Sequence, residues 1–360
     1  MESGGYAPAS RRPRRGPPAS SPGPGRPVPE GGTADAHASA VSHVTPRVPW
    51  QSVGVTPTDP TATRELRPPP GYRLAATVHA LTFSPYDPCA RIAAGTFWIA
   101  LRTPAGPATL CLRPAAGALV ADGYGPGGGW LVERADAIAG LRDDLSGFAE
   151  LAAGHPVVAR LAAAHRGLRM PATGVVFPRV LRAVFEQKVT GKEAYRAYAA
   201  TVRHFGEPAP GPLQPLLLPP EPAAVAAAPY WVFHPFGVEQ RRADTLRRAA
   251  AVADRLQRCA DAAEATRRLT AVAGIGPWTA AEVVRVAYGD PDAVSVGDYH
   301  VPNTVAWALA GEARGDDARM LELLEPFRGH RGRVCLLLAA AGIHAPRYGP
   351  RAPIRSFARF

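Results

Sequence analysis

Gly274-Ile275-Gly276-Pro277-Trp278-Thr279-Ala280, followed by Val296-Gly297-Asp298-Tyr299-His300 with its aspartate 20 residues beyond the tryptophan, decides how this 360-residue chain is read. Upstream, residues 261–272 (Asp-Ala-Ala-Glu-Ala-Thr-Arg-Arg-Leu-Thr-Ala-Val) read as a helix that ends before Gly274, a residue able to take positive φ. Pro277 opens the next helix, because proline fits a first turn, where its missing N–H costs nothing. Ala280, Val283, Val284 and Ala287 recur at helical spacing, so this second helix buries one face and leaves its N-terminus, with Gly276, towards solvent. Two helices joined in this way aim backbone N–H groups at an anion such as a phosphate. A carboxylate just past the second helix would meet a nucleotide held there. The pattern points to chemistry on DNA.

A lone Gly-x-Gly is usually an ordinary helix-ending turn. Here Asp298-Tyr299 and the block Leu324-Glu325-Pro326-Phe327-Arg328-Gly329-His330-Arg331 follow in order. With them the chain resembles the helix-hairpin-helix DNA glycosylases, in particular the 3-methyladenine DNA glycosylase II branch. The similarity runs over residues 72–342 and is densest over 175–205 and 269–342. It implies a mostly α fold with an N-terminal β-rich domain. It also implies that Asp298 is the catalytic carboxylate and that Gly274, Ile275, Gly276 and Thr279 grip the DNA backbone. Arg241 and Arg242 would begin a helix near that backbone. Trp278, Tyr299 and Gln187 would help form the base pocket. Lys188, next to Gln187 at the joint between two amphipathic segments (177–185 and 194–205), takes the place of a wedge that is usually apolar. Its stem can fill the gap left by a flipped base while its charge reaches a phosphate. An exposed surface lysine is the competing reading.

The chemistry follows from the substrate. Cleaving an N-glycosidic bond builds oxocarbenium character on deoxyribose, so a nearby carboxylate stabilises the charge or activates water. Asp298 supplies it. A purine alkylated at N3 or N7 leaves as a cationic base and needs no strong general acid, which fits a site with one matched carboxylate. Asp290 and Asp292 are rivals, but Gly289-Asp290-Pro291-Asp292 reads as a turn. A helix N-cap ahead of Val301 is the structural role open to Asp298, and it is compatible with catalysis. In glycosylase/lyases the position of Trp278 carries a lysine that attacks the sugar; this chain has only two lysines, Lys188 and Lys192, outside the hairpin. The expectation is a monofunctional glycosylase for alkylated purines. The alternatives are a catalytically silent DNA-binding module, or a glycosylase for deaminated or oxidised bases. Glu282 and Ala339 stand where the resemblance would put aromatic pocket residues, which leaves the lesion open.

Between Pro208 and Pro222 a proline-rich link leads to Tyr230-Trp231-Val232-Phe233-His234-Pro235-Phe236, the densest aromatic cluster. Core packing is its plain reading. The alternative puts Trp231, His234 or Phe236 in the pocket, where a flat face stacks on a base. The net charge of +11 suits a polyanionic partner, here double-stranded DNA containing damaged bases. Cys89, Cys111, Cys259 and Cys335 lie far apart without C-x-x-C spacing, so neither a metal site nor any cofactor is expected. No membrane span or signal peptide is visible, and a cytoplasmic monomer is expected.

The chain divides into a Pro/Arg/Gly-rich tail (1–70), an antiparallel β domain (71–148), a helical glycosylase domain (149–345) and a basic C-terminal tail (346–360). Phe97, Ile99 and Leu101, then Leu110 and Leu112, carry the strand alternation. The run Gly123-Tyr124-Gly125-Pro126-Gly127-Gly128-Gly129 reads as a flexible hairpin loop.

Overall fold

The alternating run at Phe97 forms β3 (Thr96–Thr103), the third of five strands in a computed structural model that describes residues 59–346. The others are β1 (Ala62–Leu66), β2 (Ala90–Ala93), β4 (Gly106–Ala115) and β5 (Ala118–Tyr124), in an antiparallel sheet of order β1-β5-β4-β3-β2. Phe97 pairs with Leu112, Ile99 with Leu110 and Leu101 with Ala108, so the period of two puts all six on one buried face. Each large apolar side chain so removed from water contributes about 1.5–3 kcal/mol. That face packs on residues of the short helices Leu74–Val78 and Gly128–Glu133. The opposite face, where Trp98 stacks on Tyr124 at 5.9 Å, is covered by Ala209, Leu216 and Leu218. The proline-rich link is therefore a second cover for the sheet.

Two sequence expectations are corrected here. The sheet begins before residue 71: in β1 Leu66 is buried opposite Leu119, and Thr63 Oγ1 donates to Asp122 Oδ1 at 2.8 Å. β1 is short and mostly polar because it is an edge strand with one wet face, which hid it. The basic run Arg11–Arg15 and the 347–360 end lie outside the described residues. The glycine-rich run is a close-packed strand-to-helix turn instead of a loose hairpin. A Cβ on Gly123 would meet the Gly128 backbone, and one on Gly127 would meet Thr103.

Helices make the rest. α1 (Phe177–Phe185), α2 (Gly191–Phe205), α3 (Gln240–Ala251), α4 (Ala262–Thr270) and α5 (Pro277–Ala287) share one core through Val180, Leu181, Val202, Leu246, Leu269 and Val283. α6 (Val301–Ala310), α7 (Asp317–Leu324) and α8 (Arg331–Ala340) share another through Val305, Met320 and Val334, with Phe148 and Val158 from the earlier helical segment. The segment 288–300 carries the chain from the first core to the second, and Asp298 stands on it. Among the described residues no helix is long and apolar enough to cross a membrane.

Candidate active site

The hairpin forms where the glycines placed it. Asp261 Oδ1 caps α4 by accepting from Glu264 N at 2.7 Å. Gly274 has φ 99°, and a Cβ there would run into the Thr245 side chain on α3, so glycine is required for conformation and for space. Ile275 is buried, and its N–H donates to Val272 O at 2.9 Å; it anchors the hairpin and has no N–H to offer DNA. The first N–H groups of a helix lack intrahelical acceptors, and Pro277 has none, so Gly276, Trp278 and Thr279 supply the donors. A Cβ on Gly276 would meet nothing within 4 Å. Gly276→Val therefore leaves the fold in place and fills the space a phosphate would enter. Binding to damaged and undamaged duplexes should fall together, by about tenfold or more; unchanged binding at two salt concentrations would remove the clamp.

Other expected DNA contacts are redistributed. Gln187 Nε2 donates to Gly274 O at 3.0 Å and to Thr279 Oγ1 at 2.9 Å, so its amide braces the hairpin. Arg242 is only 3 % exposed and donates to Phe185 O at 3.1 Å and Gly237 O at 3.3 Å; its guanidinium ties α3 into the core and does not reach DNA. Arg241 is exposed. Arg248, which sequence reasoning missed, is exposed and donates to Ala273 O at 2.9 Å, beside the hairpin. Its spacing of two turns from Arg241 on α3 was the available signal.

Lys188 is exposed at the joint between α1 and α2 with φ 53°, a left-handed conformation rare outside glycine. Two residues later Thr190 starts α2 with a capping box: Glu193 N donates to Thr190 Oγ1, and Thr190 N to Glu193 Oε2. The aromatic cluster splits. Phe233 is fully buried, while Trp231 is 63 % exposed with its ring edge-on to Tyr230 at 5.6 Å. Tyr299 is 82 % exposed and lies edge-on to His300 at 4.9 Å, so its ring stands out from the protein beside Asp298.

The structure brings Asp298 to Trp278. Trp278 Nε1 donates to Asp298 Oδ2 at 2.8 Å, fixing the indole beside the carboxylate. Oδ1 accepts from His300 N at 2.7 Å and Val301 N at 2.9 Å, capping α6. One carboxylate thus holds the indole and the start of α6 at once. The rivals are occupied elsewhere: Asp292 pairs with Arg331 through both oxygens at 2.9 and 2.5 Å, and Asp290 accepts from Asp292 N at 2.9 Å within the turn.

Beneath Trp278, on the same face of α5, stands Glu282. Its Oε1 accepts from Ser295 Oγ at 2.7 Å and its Oε2 from Arg285 at 2.7 Å and from Arg179. Burial alone would push this carboxyl up, but Arg285 and Arg179 outweigh it and hold it well below the ordinary carboxylate range. Cys335 on α8, near this group and Asp298, has its thiol pushed up to about 12, chiefly by burial. Ala339 is exposed on the same helix. Among the described residues no three His, Cys, Asp or Glu side chains come together as a metal site.

A glycine hairpin braced by a glutamine, a carboxylate fixed to the tryptophan of its second helix, and an antiparallel sheet on the N-terminal side are set in a fold that solved DNA glycosylases share. The chain is similar to the 3-methyladenine DNA glycosylase of Archaeoglobus fulgidus, at 18 % identity and a TM-score of 0.63, over 77 % of this chain and 97 % of that one. It is also similar to the 8-oxoguanine glycosylase/lyase of Clostridium acetobutylicum in its apo form, at 11 % identity and a TM-score of 0.61, over 77 % and 95 % of the two chains. The same enzyme in complex with double-stranded DNA containing cytosine opposite 8-oxoguanine gives 12 % identity and a TM-score of 0.60, over 79 % and 98 %. No family model and no curated protein sequence matches the chain. At such identities the likeness shows the fold, which is that of these glycosylases, and the activity has to be argued from the site.

Proposed function

We propose that this protein is a monofunctional DNA N-glycosylase that holds duplex DNA on the 274–279 hairpin and hydrolyses the glycosidic bond of a flipped damaged base. The observation that carries this reading is the Trp278–Asp298 hydrogen bond, which sets a carboxylate and a flat aromatic side chain together next to the hairpin's free amides. Phosphate contacts position the duplex and the carboxylate meets the positive charge that develops on the sugar. A silent DNA clamp would need no carboxylate at that place. The indole of Trp278 favours an alkylated, electron-poor purine as the leaving base. The charged pair Glu282–Arg285 on the same helix face favours a second reading, a deaminated or oxidised base.

Monofunctionality rests on Trp278, which has no amine where the glycosylase/lyases carry their nucleophile. Lys188 is exposed on the joint and Lys192 is exposed in α2. The Lys188 side chain makes no ion pair among the described residues and points to no partner that would hold it against a sugar. The purified protein should leave an intact abasic strand that is nicked only after alkali, with no covalent product when borohydride is added during turnover. A trapped complex that vanishes in Lys188→Ala would make Lys188 a nucleophile and end the monofunctional reading.

A further inference from the structure

The wall of α5 below Trp278 is charged. Trp278, Glu282 and Arg285 follow one another at i, i+4 and i+7 and so share a face. The loop and helix opposite are those of the carboxylate: Ser295, just ahead of Asp298, donates to Glu282, and Cys335 on α8 lies within electrostatic reach of both Asp298 and Arg285. Glu282 is fully engaged, one oxygen on Ser295 and the other on Arg179 and Arg285, and has little acceptor capacity left for a substrate. Arg285 is different. A guanidinium carries several N–H donors, and this one spends a single hydrogen bond, on Glu282. Although packed among protein atoms, its side chain remains 22 % accessible, and none of its nitrogens is buried without a partner. Its remaining donors therefore open onto solvent, on the helix face that carries Trp278.

We propose that Arg285 reads the flipped base. Its open N–H groups meet a carbonyl oxygen or ring-nitrogen lone pair, so the site takes neutral deaminated or oxidised bases in preference to cationic N-alkylated purines. The inference rests on the glycosylase reading and names its substrate class. A base with a carbonyl edge satisfies the guanidinium, whereas a cationic purine brings a second positive charge to it in a partly desolvated place. Glu282 acts behind it as a positioning residue, holding the guanidinium in one orientation through the 2.7 Å contact.

The test is single-turnover excision from duplexes carrying hypoxanthine, 8-oxoguanine, 7-methylguanine or 3-methyladenine, by the wild-type protein and by Arg285→Gln. The wild type is expected to favour the neutral pair, and the variant to lose at least about a hundredfold on that pair while its rate on the cationic pair holds or rises. Wild-type preference for the cationic pair would overturn the proposal, and so would an equal loss on all four bases in a variant that still melts cooperatively and binds undamaged duplex. The wild-type panel decides the matter if Arg285→Gln fails to fold. Excision of none of the four bases would instead count against the glycosylase reading itself.

Discussion

Asp298→Asn should abolish most base excision while leaving duplex affinity within about twofold, because the lost charge acts on the transition state and the phosphate contacts lie elsewhere. The expected fall in single-turnover rate is about a hundredfold to a thousandfold, the range associated with removing one electrostatic stabiliser. The geometry adds a second readout. An amide offers one oxygen, and if that oxygen keeps the His300 and Val301 amides, its nitrogen faces the Trp278 N–H, donor against donor. The indole then loses its tether, and stability should drop by only about 1 kcal/mol. Excision at the wild-type rate by a folded Asp298→Asn protein would remove Asp298 from the mechanism.

Glu282→Ala should be the most destabilising single change at the site. It leaves Arg179, 5 % exposed, and Arg285 without the carboxylate that both contact. Breaking a buried ion pair from one side costs about 3–5 kcal/mol, which for a domain of this size lowers the melting temperature by roughly 10 °C. The pH dependence has a definite sign. Because the native carboxyl is held below its unfolded value, the stabilisation is complete above the ordinary glutamate range near pH ~4.3 and is lost as acid protonates the native group. Glu282→Ala should therefore flatten the acid limb of a melting-temperature profile. A variant that melts within a degree or two of the wild type, with the same acid limb, would show that the arginines find other partners.

Much of this was legible in sequence because it is local. Gly274 at the end of the 261–272 run and Pro277 at the start of the next helix each act within a turn, through positive φ and a fixed φ. The alternation of Phe97, Ile99 and Leu101 likewise fixed a buried strand face. β1 escaped because an edge strand of five residues with one polar face has no distinctive pattern. Gln187 sat in the right neighbourhood, but which atoms its amide would bond depended on a hairpin 87 residues away. Arg242 and Arg241 are adjacent and chemically identical. Only the pitch of α3 turned one into the core and the other towards solvent.

The sequence by itself determined the hairpin, the order of the tryptophan and the aspartate, the absence of a lysine from the hairpin, and the alternation of the sheet. All are set by backbone preference or side-chain chemistry over a few residues. The tertiary structure alone decided that Asp298 caps α6 and holds Trp278 at once. It turned the Tyr299 ring outward, and it made Glu282 the counter-ion of two arginines instead of a vacancy in an aromatic wall. The reason is that charge pairing and exposure depend on which distant side chains arrive at the same place. Arg179 reaches Glu282 across 103 positions of sequence, a distance over which no periodicity carries information.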